Sequence, residues 1–283
     1  MRKEGYREST CYFSVRALKR LDRQVSILEP EAVKRFLSNT EWTEGGKERI
    51  AEDLDRFYRY KGIHWERPRY EAVDILPHIP TATTVQELVS GLLGPVGTFA
   101  MLLSETGCRP CEAWLAEWTH VDLDHNAIVI RAGKKSRSRE LRISNQLVGR
   151  LNQLPRLGKY VFHDGSKDPI KGLKDFTRTY QRQRNKLAVR LANPKIQLVS
   201  LRTLRHYKGT MEYHRTRDIV HVQQLLGHRS VQNTLRYVRL VNFPDDDYVC
   251  KVAKTVKEAS GLVESGFDYV CDVEGYKLFR KSK

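Results

Sequence analysis

Apolar positions recur at helical spacing through most of the chain. Leu18, Leu21 and Val25 share one face of a possible helix within residues 6–28. Ala32, Val33, Phe36 and Leu37 share another after Pro30, a residue suited to a first helical turn. Ile50, Leu54, Phe57 and Tyr58 repeat the pattern after Gly45-Gly46, which reads as a break before the third helix. Pro68, Pro77 and Pro80 then interrupt it, so residues 67–84 read as a linker with a domain boundary near residue 80. Beyond it Thr84 and Glu87 have capping-box spacing. The apolar run 91–103 is shorter than the roughly 18 residues that span a bilayer, which predicts a buried helix. Gly107 allows a sharp turn, and Pro110 opens the next helix.

The period then changes. Residues 127–131 and 140–143 have the apolar runs of short strands around a polar, basic turn, a β-hairpin signal. Helical patterns resume to about residue 239. After Pro244, the positions Val249, Val252, Val256, Leu262 and Val263 predict an amphipathic helix over 249–264. A last hairpin is expected from 267–273 and 276–279, turning at Glu274-Gly275. The fold class expected is mainly α with a small β-hairpin or sheet. An N-terminal helical domain takes residues 1–80, a mixed α+β domain 81–243, and a tail of helix and hairpin 244–283.

Composition adds a partner. In 283 residues, 50 Lys and Arg face 34 Asp and Glu, a formal charge of +16. Residues 131–142 hold six basic side chains and one acid, and residues 171–190 hold seven and one. Two one-sided runs within one folded half point to a polyanion, DNA or RNA above all. Neither run pairs its basic face with a wide apolar one, so a membrane partner is not expected. The chain start lacks the apolar stretch of a signal peptide, and a cytoplasmic protein is expected. Five cysteines at irregular spacing argue against a disulfide framework, and Cys108 and Cys111 lack a second pair to complete a zinc site. Asp245, Asp246 and Asp247 read as a solvated linker, and no metal or cofactor is expected.

Four segments carry the chemistry: Thr106-Gly-Cys-Arg109-Pro-Cys-Glu112, Gly133-Lys134-Lys-Ser-Arg137-Ser-Arg139, Ser200-Leu-Arg202-Thr-Leu-Arg205-His206, and Leu225-Leu-Gly-His228 with Thr234 and Tyr237. In this order they resemble the tyrosine recombinase (integrase) family. Its pattern is T-G-x-R-x-x-E, a hairpin lysine, H-x-x-R-H, and L-G-H followed nine residues later by tyrosine. The resemblance covers roughly residues 85–243. The ending 266–270 with 278–281 further looks like integrases of archaeal viruses and plasmids. One position departs: Arg202 stands where the family has histidine.

The resemblance implies DNA strand cleavage and rejoining through a covalent 3′-phosphotyrosine, in integration or excision of a mobile element. Tyr237 would be the nucleophile. Arg109, Arg205 and His228 would grip the phosphate, with Arg202 as a further donor. Lys134 would be the general acid, and Lys135 is the alternative. Such preorganised donors stabilise charge developing on phosphoryl oxygens. Arg202 suits phosphate but stays protonated, so the base for Tyr237 is unassigned. Lys135, Arg137, Arg139, Lys171, Lys174, Arg178 and Arg182 are the expected DNA contacts, with Tyr160, Tyr180 and Tyr207 as possible additions. The family implies an N-terminal core-binding domain that closes a clamp on double-stranded DNA. It also implies a homo-oligomer, a tetramer on two duplexes and a monomer or dimer when free. The 249–264 helix is the candidate protomer link. The alternatives are a type IB topoisomerase-like enzyme and a catalytically inactive DNA-binding protein of the same fold.

Overall fold

A computed structural model of the chain describes residues 5–6, 8–71, 77–133, 136–239, 248–273 and 276–282. The chain forms two compact units, Met1–Leu76 and Pro77–Lys283. Their division falls close to the expected boundary near residue 80. The described tail residues, 248–273 and 276–282, fall within the span of the second unit.

The first unit is helical. Helix α1 (Glu8–Asp22) packs on α3 (Glu44–Lys61), with α2 (Pro30–Asn39) between them in sequence. Leu21, Val33, Leu37, Ile50, Leu54 and Tyr58 form its core, each large side chain contributing roughly 1.5–3 kcal/mol by leaving water. Ser14 donates to the buried Asp53 carboxylate at 2.6 Å and ties α1 to α3. Gly45 and Gly46 lie inside the first turn of α3, not before it. Thr43 is the cap: its hydroxyl accepts the Gly46 N–H at 3.3 Å.

The second unit begins with α4 (Ala82–Gly91) and α5 (Gly94–Thr106). The cap of α4 is Thr81, whose hydroxyl accepts the Thr84 N–H, so Thr84 sits one turn further in than expected. Helix α5 is the predicted buried helix. Phe99, Ala100, Leu102 and Leu103 have no more than traces of exposure, and Phe99 meets Trp114, Phe162 and Phe176. Helix α6 (Pro110–Trp114) is short, and a three-stranded antiparallel sheet follows. Strands β2 (Ala127–Ile130) and β3 (Arg139–Arg142) form the expected hairpin; β1 (Val121–Asp122) adds an edge. Five helices continue the unit: α7 (Asn145–Asn152), α8 (Pro169–Arg190), α9 (Leu201–Thr216), α10 (Ile219–Leu226) and α11 (Gln232–Arg239). Helix α9 packs against α5, α10 and α11, and so lies where the motif-bearing segments meet.

The tail departs from expectation. Residues at the start of the predicted 249–264 helix form strand β4 (Tyr248–Ala253), and only α12 (Val256–Glu264) is helical. The stretch is rich in residues that suit strands and pairs along its length with β6 (Tyr276–Ser282). Thr255 then caps α12 by accepting the Glu258 N–H at 3.2 Å. With β5 (Asp268–Val273) the tail makes a sheet ordered β4-β6-β5. The hairpin of β5 and β6 agrees with expectation; its turn at Glu274-Gly275 lies outside the described residues, as do Asp245, Asp246 and Asp247. Among the described residues no helix is long and apolar enough to cross a membrane. Cys11, Cys108, Cys111 and Cys271 are free thiols.

Candidate active site

Gly107 ends α5 in the left-handed region at φ 61°, which a side chain would disfavour. The turn places Arg109 at the cap of α6. Glu112, with 1% of its side chain exposed, accepts the Arg109 backbone N–H at 3.0 Å and its guanidinium at 2.9 Å. The same carboxylate accepts Arg139 Nη2 at 3.0 Å. Burial acts to raise the Glu112 pKa, but the Arg139 charge and the hydrogen bonds from Arg109 and Arg139 outweigh it and hold the carboxyl below its usual range. Glu112 therefore links the first motif to the hairpin strand 27 residues later. Arg139 continues the link, donating from Nε to the Leu225 carbonyl at 2.7 Å.

The L-G-H loop closes on the same place. Gly227 ends α10 at φ 67°, and a Cβ there would lie 2.6 Å from Arg139 Nη1 and 2.9 Å from the Arg137 carbonyl oxygen. Its own carbonyl accepts the Arg137 N–H at 3.0 Å. Arg205, buried in the first half of α9, reaches three partners. It donates to the Gly107 carbonyl at 2.5 Å, the Leu226 carbonyl at 2.9 Å and His228 Nε2 at 2.8 Å. Burial, then the nearby Arg109 charge, lowers its pKa to about 10, so it stays charged at neutral pH.

These contacts fix the state of His228. An arginine only donates, so Nε2 is the accepting nitrogen. In the neutral ring Nδ1 then carries the proton, and it donates to Thr234 Oγ1 at 2.8 Å. Burial, followed by Arg205, Arg109 and Arg139, lowers the His228 pKa to about 3, which keeps the ring neutral at pH 7.

Tyr237, on α11, is 1% exposed. Its ring lies parallel to His228, with centroids 6.3 Å apart and planes at 9°. Its hydroxyl is 3.4 Å from His206 Nδ1. Arg109, Arg205, His228 and Tyr237, which come from separate segments, are thus brought together. Arg202 is not drawn into this set of hydrogen bonds; it lies exposed in the first turn of α9. Lys134 and Lys135 lie outside the described residues. Gly133, before them, packs against Glu112: a Cβ there would lie 3.3 Å from Glu112 Cγ.

The expected DNA contacts separate into two groups. Arg137 is exposed, and so are Lys171, Lys174, Arg178 and Arg182, whose spacing places them along one face of α8. Arg139 differs from expectation. Its side chain is 7% exposed and donates to Glu112, Leu225 and Arg137, so it braces the site from inside. Tyr180 is also internal, 1% exposed with its hydroxyl donating to the Val199 carbonyl at 2.6 Å. Tyr160 stacks on His163 at 4.3 Å, and Tyr207 packs on the core. Sequence reading missed Ser136, bridged to His228, and Gly209, whose space the Tyr237 ring uses. Neither has a local sequence signal.

Fold and site together define a class. Residues 94–242, more than half of the chain, match the phage integrase family, and the chain belongs to that family. An Escherichia coli protein named integrase/recombinase is 27% identical over 211 residues, covering 59% of this chain and 60% of its own length. A Pseudomonas aeruginosa protein of the same name matches equally. The match thus spans less than two thirds of these curated relatives. Among solved structures, the Tn1549 transposon integrase in complex with transposon right-end DNA has the same fold. Its TM-score is 0.63 at 13% identity over 93% of this chain and 96% of that one. A lambda integrase dimer bound to a COC′ core site gives 0.61 at 14% identity over 82% and 89%.

Proposed function

We propose that this chain is a site-specific DNA recombinase that cleaves and rejoins strands through a 3′-phosphotyrosine on Tyr237. The observation that carries the reading is the assembly of Arg109, Arg205 and His228 around Tyr237. Two fixed guanidinium groups suit the non-bridging oxygens of a phosphodiester, where negative charge grows during attack. Each such donor contributes on the order of 10²–10³-fold in rate. Lys134 is assigned to protonate the departing 5′-oxygen. One phosphodiester is exchanged for another, so no external energy source enters.

The exposed row Lys171, Lys174, Arg178 and Arg182, with Arg137, is assigned to DNA phosphates, which position a duplex without reading its sequence. The helical unit before residue 77 is assigned as the second DNA-binding half. A tetramer on two duplexes, a cytoplasmic location and a mobile-element origin of archaeal type complete the proposal. Family membership supports the first, and the 266–281 ending supports the last.

The test uses supercoiled plasmid carrying this gene with its flanking DNA, incubated with protein in EDTA and quenched in SDS. Protein-linked or recombined DNA is expected with the wild type and not with Tyr237→Phe. DNA binding without any adduct from the wild type refutes the strand-transfer reading.

A further inference from the structure

The departure at Arg202 leaves one half of the chemistry without an agent. Oη of Tyr237 must lose a proton to attack phosphorus, and a phenol with a pKa near 10 is almost wholly protonated at neutral pH. Arg202 does not accept protons and lies exposed. His228 has both nitrogens engaged, Nε2 by Arg205 and Nδ1 by Thr234. Among the described residues, two carboxylates close to this part of the fold are held in ion pairs: Glu112 with Arg109 and Arg139, and Glu212 with Lys208, Arg215 and His221.

Helix α9 offers another group. His206 follows Arg205 directly, so the two side chains leave the helix about 100° apart. Arg205 points into the buried guanidinium cluster, and His206 meets the nucleophile. His206 Nδ1 lies 3.4 Å from Tyr237 Oη, with ring centroids 5.9 Å apart and planes at 45°. This is a long hydrogen bond of the kind that shortens when substrate binds. One turn on, Gly209 leaves room for the tyrosine. A Cβ there would lie 3.0 Å from Tyr237 Cε1 and Cζ and from Leu226 Cδ1. Residues three apart on one helix face thus supply a basic nitrogen and the gap that lets the ring reach it.

We infer that His206 is the general base that activates Tyr237, a catalytic residue outside the arginine, lysine and L-G-H positions; the assignment rests on the recombinase reading. His206 reacts as the neutral tautomer protonated at Nε2, with Nδ1 facing the phenol. As Oη forms its bond to phosphorus, its proton passes to Nδ1. The bond from phosphorus to the 5′-oxygen breaks with its electron pair staying on oxygen, and that oxygen takes a proton from a separate ammonium donor, assigned to Lys134. In rejoining, a 5′-hydroxyl attacks phosphorus and returns its proton to the amine. The phenolate leaves and recovers its proton from the His206 imidazolium.

The test follows single-turnover adduct formation on nicked duplexes built from the junction mapped in the plasmid experiment. One duplex carries a 5′-bridging oxygen at the scissile bond and the other a 5′-bridging sulfur. Sulfur leaves without needing a proton, so it rescues defects at the leaving group and none at the nucleophile. His206→Ala and His206→Gln are compared with the wild type, and each variant's thermal unfolding and DNA retention are measured alongside. Glutamine keeps a hydrogen-bonding partner for the tyrosine but takes up no proton.

Both variants are expected to form adduct at least about 10²-fold more slowly on both duplexes, as loss of a general base implies. His206→Gln within threefold of the wild type makes the histidine a mere support and overturns the assignment. So does restoration by the sulfur duplex, which would place His206 at the leaving group. A wild type that forms no adduct overturns the recombinase reading and this assignment together. A wild-type adduct with a fast Gln variant overturns this assignment alone.

Discussion

Replacing Glu112 with glutamine keeps the side chain's shape and removes its charge. The carboxylate holds two arginines that differ in exposure. Arg109 is 28% exposed, and water takes over much of its solvation once the partner is neutral, a loss of about 1 kcal/mol or less. Arg139 is 7% exposed and loses its only carboxylate partner among the described residues. Leaving a buried charge without its partner costs about 3–5 kcal/mol, and Arg139 falls at the low end because Leu225 and Arg137 still accept from it. Glu112→Gln is therefore expected to destabilise the 77–283 unit by roughly 3–4 kcal/mol, which lowers its Tm by about 10 °C for a unit of this size. Calorimetry at neutral pH and low salt reads this directly. Adding Arg139→Met to the variant should recover at least about 1 kcal/mol, since neighbouring partners are not additive. The sign with pH follows from the lowered carboxyl pKa. The wild-type advantage is present above the ordinary value of 4.5 and fades as pH falls through the lowered one. A Tm within 2 °C of wild type, or strictly additive effects of the two substitutions, would refute the ion-pair account.

Three further expectations concern other parts of the second unit. Changing Lys171, Lys174, Arg178 and Arg182 to glutamine should weaken DNA binding on every sequence and reduce the salt slope by about one for each phosphate that is no longer neutralised; fluorescence anisotropy over a salt series measures it, and an unchanged slope rejects the α8 row as a phosphate track. Glu212 carries a pKa of about 2, since hydrogen bonds from Arg215, Lys208 and His221 outweigh the burial that would raise it; its stabilisation is full above about pH 4.5 and lost towards pH 2, roughly 3 kcal/mol in all, and acid titrations of Glu212→Gln should lack that share of the slope. Gly209→Ala should keep the fold, because the gain in helix propensity, about 1 kcal/mol, partly offsets overpacking of about 1–3 kcal/mol; its adduct yield should fall at least tenfold as the Tyr237 ring is displaced, and a wild-type rate would show that the ring tolerates the methyl group.

Part of the candidate site was legible in the sequence because the segments that form it are short and local. Arg109 and Glu112 share one helix turn, and so do Arg205 and His206, so the family resemblance could single out each pair within a few residues of chain. The inward turn of Arg139 was not readable. Within a run of six basic residues it looks like one more solvated cation, and the partner that draws it in lies 27 residues earlier. Gly209 and Ser136 matter through contacts with residues far along the chain, which no window of sequence contains. In the tail, Val249, Val252 and Val256 satisfy a helical period, yet Tyr248–Ala253 pairs as a strand. Short apolar runs fit either period, and here the pairing with β6 decided. The cap of α4 failed for a simpler reason: Thr81 and Thr84 are equally good caps, and the hydrogen bond chooses Thr81.

Helix α9 carries two buried charge clusters, and their contrast bears on why only one of them reads as a site. Towards its C-terminus, the Glu212 carboxylate meets Lys208, Arg215 and His221 and is saturated with donors. Nothing there calls for a ligand, and the cluster ties α9 to α10. Towards the N-terminus, Arg109 and Arg139 share the Glu112 carboxylate, while Arg205 donates to the Gly107 and Leu226 carbonyls and to a neutral His228, which leaves two positive charges in excess within that set. The positive end of the helix dipole adds to the excess. The lowered pKa of Arg205 records the strain, because burial and the Arg109 charge both disfavour its ionised form. A folded protein keeps such an imbalance only at a cost in stability, and an incoming anion removes that cost. A phosphodiester brings one negative charge in its ground state and develops more in the transition state of attack. On the proposed recombinase reading, the imbalance would favour the transition state over the bound substrate, which is the condition for catalysis rather than for binding alone.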